Sequence, residues 1–168
     1  MLNPRAIAAE LSQQYPGLID AGFSSIVKTH TSPEVSEEIK KRNMTHKFLS
    51  KDDLVDHQYL LVIDGKTWSR TNKIALASSS VSIKQESPWL EFFEKHPDYK
   101  DGVHYMSVHR NLSNLVDVLR HLKSNPTLAR HIAKNGEDFA RKHLNRAQVL
   151  SYANSVIDYT ASALLCPE

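Results

Sequence analysis

The stretch Tyr59-Leu60-Leu61-Val62-Ile63-Asp64-Gly65 decides how the chain reads. Five apolar residues without alternation predict a strand buried on both faces, the pattern of a parallel sheet covered by helices. A second apolar run, Val81-Ser82-Ile83, follows it. Each run ends in a polar cluster, Asp64-Gly65-Lys66-Thr67-Trp68-Ser69-Arg70 after the first and Lys84-Gln85-Glu86-Ser87-Pro88-Trp89 after the second. Parallel sheets take their ligands just beyond the carboxyl ends of the strands, so the two clusters mark a candidate cleft.

Upstream of this stretch, Pro4 to Gln14 predicts a helix: Asn3 caps it, Pro4 suits the first helical position, and Ile7, Ala8 and Leu11 share a face. Ala21 to Thr29, with Phe23, Ile26 and Val27, predicts a first strand. Ser32-Pro33-Glu34 opens a charged helix through Arg42, and Ser50 to Asp56 is a short helix with Ser50 as cap and Asp53 in the reciprocal position. Downstream come a helix from Ser69 to Ala77, the strand from Val81 to Lys84, a helix opened by Ser87-Pro88, and a short strand from His104 to Val108. Alternation of strand and helix argues for a parallel α/β layer structure. The final third predicts three helices: one with Leu112, Leu115, Leu119 and Leu122 as a core stripe, one restarted by Asn125-Pro126 and carrying Leu128, Ile132 and Phe139, and one with Val149, Leu150, Ala153, Val156 and Ile157.

A chain of 168 residues with 40% hydrophobic and 24% charged composition reads as a single soluble-type domain spanning residues 1–168. Lys and Arg total 21 against 19 Asp and Glu, and the basic residues form no block. Nucleic acid and anionic membrane surfaces are therefore not expected partners. No segment approaches the length of a membrane span, and Arg5 and Glu10 interrupt any signal-like apolar core at the amino end. Cys166 is the single cysteine, so no intrachain disulfide is expected. The sequons Asn43-Met44-Thr45 and Asn111-Leu112-Ser113 matter only in a secretory compartment.

Spacing argues against several chemistries. The five glycines, Gly17, Gly22, Gly65, Gly102 and Gly136, are too far apart for a Gly-x-Gly-x-x-Gly turn or a phosphate loop. No His pair stands at i, i+4 with a third partner and no Asp-x-Asp occurs, so no metal site is expected. No Gly-x-Ser-x-Gly elbow holds a nucleophile. Taken alone, Asp64-Gly65 reads as a turn, Lys84 and Arg70 read equally as solvated charges, and Trp68 and Trp89 read as packing residues rather than sugar platforms.

Six separated blocks then match a family in order: Leu18-Ile19-Asp20-Ala21-Gly22-Phe23; Tyr59 to Gly65; Ser80 to Gln85 with Trp89 and Glu91-Phe92-Phe93; His104-Tyr105-Met106-Ser107-Val108; Leu112-Ser113-Asn114-Leu115; and Asn135-Gly136-Glu137-Asp138-Phe139-Ala140. Together they resemble the carboxyl half of glycosyltransferase family 90, which includes protein O-glucosyltransferases, fungal capsule-associated xylosyltransferases and lipopolysaccharide-modifying members. The resemblance runs from about Asn3 to about Tyr152.

That resemblance implies a Rossmann-like parallel sheet flanked by helices, similar to the C-terminal donor domain of a GT-B glycosyltransferase. It implies an inverting, metal-independent transfer from a UDP-sugar, UDP-glucose or UDP-xylose, to a hydroxyl of a glycoprotein or glycan acceptor, with no further cofactor. By match, Asp64, Gly65, Trp68 and Ser69 sit on the first donor loop, and Ser80, Val81, Ser82, Ile83, Lys84 and Gln85 line the nucleotide. Lys84 and Arg70 are the cations suited to neutralise a diphosphate leaving group. Two positions depart from the family pattern: Thr71 stands where an arginine is usual, with Arg70 one residue early, and Asn111 replaces an acidic residue. The acceptor half and catalytic aspartate of the family lie upstream of the matched region, so no catalytic base is assigned. Family members work mostly in the endoplasmic reticulum lumen or Golgi. The alternatives are a truncated non-catalytic homologue and an α/β scaffold for protein interaction.

Overall fold

The computed structural model describes residues 3–26, 31–65 and 67–165. Its elements run α1 (Pro4–Gln14), α2 (Pro33–Lys41), α3 (Lys51–Val55), β1 (Tyr59–Val62), α4 (Thr71–Ala77), β2 (Val81–Gln85), β3 (Met106–Val108), α5 (Leu115–Ser124), α6 (Pro126–His143) and α7 (Arg146–Leu165). The expected start signals act as caps. The Asn3 side chain accepts from Arg5 N at 2.9 Å. Ser50 and Asp53 exchange hydrogen bonds of 2.8 and 3.1 Å in a capping box.

The sheet is parallel throughout, in the order β1-β2-β3. Tyr59 pairs with Val81 and Val62 with Lys84, while Ile83 pairs with Met106 and Gln85 with Val108. The strand covered on both faces is therefore the central β2, whose Val81, Ser82 and Ile83 are each 1% exposed. β1 alternates instead: Leu60 and Val62 are buried against Ala75 of α4, while Tyr59 and Leu61 are half-buried. Its uninterrupted apolar run reflects an edge position whose second face borders a cavity.

Val81, Ile83 and Val108 join Ala8 of α1, Leu115, Leu119 and Leu122 of α5, and Ile132 and Ala133 of α6 in the main core. A second cluster holds Leu76, Phe93, Tyr99, Phe139 and Ala140. Between the two, α6 comes so close to the chain before β3 that a Cβ on Gly136 would lie 2.8 Å from the His104 carbonyl oxygen. Only glycine permits that approach.

Three expected elements differ. Within Ala21–Thr29, Phe23 makes a single parallel bridge to Thr45, and Val27–Thr29 fall outside the described residues. The partner segment turns at Asn43, which has φ 52°, so it runs beside Phe23 too briefly for a ladder. Ser87-Pro88 opens no helix. The Ser87 hydroxyl accepts from Trp89 N at 2.9 Å and closes a turn, and the chain continues through further turns with no helix before β3 among the described residues. Finally, Leu112 has φ 58° and precedes α5, although it is buried with the α5 leucines.

Candidate functional site

At the carboxyl ends of β1 and β2 the polar clusters meet. The Asp64 backbone N–H donates to Gln85 Oε1 at 3.2 Å, and Gln85 Nε2 donates to the Arg110 carbonyl at 2.6 Å. The Ser87 hydroxyl donates to the Asp64 carboxylate. Gln85 is buried, so its amide acts as a fixed bridge across three loops, and both of its ends are satisfied. Asp64 is thereby held in place at the point where a ligand would approach.

Arg5 completes this cluster from the first turn of α1. Its Nε donates to the Asp64 carbonyl at 3.2 Å, and its guanidinium lies 3.2 Å from where a Cβ on Gly65 would stand. A side chain at position 65 would push the cation away. Sequence reasoning missed Arg5, since it lies 59 residues before Asp64. One signal was present: α1 has no acidic residue in its first turn and places a cation where the helix dipole favours anions. A guanidinium beside an amino-terminal helix end gives a positive patch next to the Asp64 loop.

The other expected residues divide by strand alternation. Val81 faces the main core, and Ile83 and Ser69 border a cavity of about 560 Å³ that runs along β1 and is also lined by Arg5, Phe23, His46, Tyr59 and Leu61. Ser80, Ser82 and Lys84 face the opposite way. Ser80 Oγ donates to the His57 carbonyl at 2.6 Å, Ser82 Oγ to Asn72 Oδ1 at 3.2 Å, and Lys84 Nζ lies 3.3 Å from Glu94 Oε2. Of the residues from Ser80 to Gln85, Gln85 alone hydrogen-bonds the Asp64 loop among the described residues. Ser69 Oγ accepts from Thr71 N at 3.4 Å beside α4, and Trp68 and Arg70 are exposed, Arg70 without an ion pair among the described residues.

Behind β2 the Lys84 side forms a buried polar network. Asn72 Nδ2 donates to Glu94 Oε1 at 3.0 Å, and Lys73 Nζ lies 2.5 Å from Glu91 Oε2. Burial pushes the Glu91 carboxyl above the ordinary range, with Lys73 opposing the shift, and burial likewise pushes the Tyr99 phenol up. Glu91 Oε1 and the Tyr99 hydroxyl have no hydrogen-bond partner among the described residues. The one group of three side chains able to hold a metal among the described residues, His96, Asp98 and His143, includes none of the Asp64 cluster.

With this geometry established, comparison with known proteins is specific. The sequence model of glycosyl transferase family 90 matches residues 4–166. Protein O-glucosyltransferase 1 of Homo sapiens is 30% identical over 151 residues, covering 88% of this chain and 36% of that protein. Protein O-glucosyltransferase 3 of Rattus norvegicus is 29% identical over 147 residues, covering 88% of this chain and 27% of that protein. The chain thus spans about a third of the length of these curated relatives. Among solved structures, the C-terminal domain of a glycosyl transferase group 1 family protein from Francisella tularensis superposes with a TM-score of 0.53 at 16% identity, covering 85% of this chain and 79% of that one. That likeness speaks to the fold, an α/β layer structure like the C-terminal domain of a GT-B glycosyltransferase. Its family model covering nearly every residue, the chain belongs to glycosyltransferase family 90.

Proposed function

We propose that this chain is the donor-binding portion of an inverting, metal-independent glycosyltransferase, and that it holds a UDP-sugar, UDP-glucose or UDP-xylose, at the carboxyl ends of β1 and β2. The observation that carries the reading is the Asp64–Gln85–Ser87 bridge with Arg5 pressed against Gly65. It joins the two strand ends into one rigid lip and sets a guanidinium beside it. A guanidinium fork suits a diphosphate, which needs neutralising as it leaves. Arg70, exposed at the start of α4, is a further cation on the loop that follows β1. Lys84 is engaged by Glu94 and takes no part in this assignment. The acceptor, a hydroxyl of a glycoprotein or glycan, and the catalytic base come from an acceptor half such as the unmatched length of the relatives has room for.

Calorimetric titration of UDP, UDP-glucose and UDP-xylose into the chain tests this. Saturable heat that persists in a chelator is the expected result. Arg5→Ala weakens binding about tenfold or more, because a hydrogen bond to a charged group contributes about 1.5–3 kcal/mol. A titration without heat for all three compounds rejects the proposal in favour of a non-catalytic scaffold.

A further inference from the structure

Two imidazoles and a carboxylate converge where the loop between β2 and β3 meets the end of α6. Asp98 Oδ2 stands 3.9 Å from His96 Nδ1 and 3.9 Å from His143 Nε2, and one donor atom from each of the three residues lies within 4.8 Å of the others. The His96 and His143 rings are 4.1 Å apart between centroids, tilted by 50°. Both rest on Phe139, one turn before His143, at 5.9 and 4.7 Å. Phe139 is itself buried, packing on Tyr99 at 5.0 Å, so the floor under the two rings is rigid.

We propose that His96, Asp98 and His143 form a zinc site, with solvent as the fourth ligand, which clamps the β2–β3 loop to the end of α6. Two neutral imidazoles with one carboxylate are a donor set that zinc favours over magnesium or calcium. Tetrahedral ligation at about 2.1 Å needs donors about 3.4 Å apart, so the three close by roughly 0.5–1.4 Å. The side chains of His96 and Asp98 are 35% and 57% exposed and have room to turn inward. Two weak contacts give way. His96 Nδ1 releases the Asp98 backbone N–H, now at 3.2 Å, and the Lys142 ammonium, 3.7 Å from Asp98 Oδ2, moves into solvent. Sequence spacing hides the set, because His143 lies on a different element from His96 and Asp98.

The test is titration of Zn²⁺ in competition with a chromophoric chelator, using the chain with Cys166→Ser so that no thiolate contributes. One equivalent is expected to bind and to raise the thermal midpoint, while Mg²⁺ changes nothing. His96→Gln, Asp98→Asn and His143→Asn each weaken binding tenfold or more and abolish the midpoint rise, whereas His131→Asn, elsewhere on α6, leaves both intact. If His143→Asn fails to fold, the exposed His96 and Asp98 variants decide the matter. The proposal is overturned if Zn²⁺ fails to saturate, or if it binds the His96 and Asp98 variants as tightly as the parent, which identifies adventitious surface histidines.

Discussion

Helices α5 and α7 both carry large apolar residues every three or four positions, yet they end in opposite surroundings. In α5, Leu115, Leu119 and Leu122 are 0, 6 and 0% exposed. In α7, Val149, Leu150, Val156 and Ile157 are between 40 and 64% exposed. α5 packs on α6 and β3, whereas α7 stacks Tyr152 on Phe92 of the β2–β3 segment at 4.8 Å and leaves its apolar stripe exposed. Helical spacing makes a stripe, and burial then requires a surface to receive it. The charged residues differ as well: α5 carries Asp117, Arg120 and Lys123 on its outer side, while α7 has only Arg146 and Asp158 along its length.

The comparison breaks first, if it is wrong, in the α5 core. Leu122→Ala is expected to cost about 2–5 kcal/mol in urea denaturation, the range for emptying a fully buried leucine site. A cost below 1 kcal/mol would mean that the core can collapse around the hole, and that α5 is held no better than α7. Gly136→Ala should cost somewhat less, about 1–3 kcal/mol, since overpacking forces the His104 backbone to move. Gly136→Ser should be no better, because every side chain begins with the same Cβ.

How much of this was legible follows from the period of each element. A parallel sheet could be read because two apolar runs ended in polar clusters, and the Asp64–Gln85 contact joins those clusters as the strand-end rule requires. Lys84 and Gln85 both belong to the expected nucleotide-lining set, but adjacent strand residues face opposite ways, so Gln85 meets the Asp64 loop while Lys84 meets Glu94. Its partner Glu94 follows an irregular turn, which no periodicity announces. The partner of Arg5 and the His96–Asp98–His143 group depend on long-range folding, and the cation in the first turn of α1 marks Arg5 without saying what it meets. The apolar stripe of α7 was read correctly as a helix, but a stripe records only what a helix offers and is silent about what meets it.

Charge sharpens the same contrast between covered and open surfaces. Glu91 is buried, and its folded pKa is raised above the ordinary value of 4.5 by that burial, against the pull of Lys73. Between the unfolded and folded values the folded state holds more protons, so stability from this group is full below about pH 4.5 and is lost as pH rises through the folded pKa. Glu91→Gln removes this dependence. Thermal midpoints of parent and variant, compared from pH 4 upward, should diverge in the variant's favour as pH rises across that window. Parallel curves would show that the carboxyl is solvated in the folded state, contrary to its burial.

The smallest effect belongs to α7. Ile157→Ser exchanges an exposed apolar side chain for a hydroxyl that water can solvate, and it leaves no cavity because the side chain is 64% exposed. Surface substitutions of this kind fall within about 0.5 kcal/mol, so the urea midpoint should hardly move. Sedimentation of the same variant supplies the sharper reading. If the α7 stripe causes the chain to associate at high concentration, Ile157→Ser reduces that association while stability stays constant. If instead the variant loses 2 kcal/mol or more, the stripe is covered in solution by the chain itself, and α7 belongs with α5. A helix whose apolar face can be made polar at no cost to folding contributes its hydrophobicity to something other than this domain's own stability.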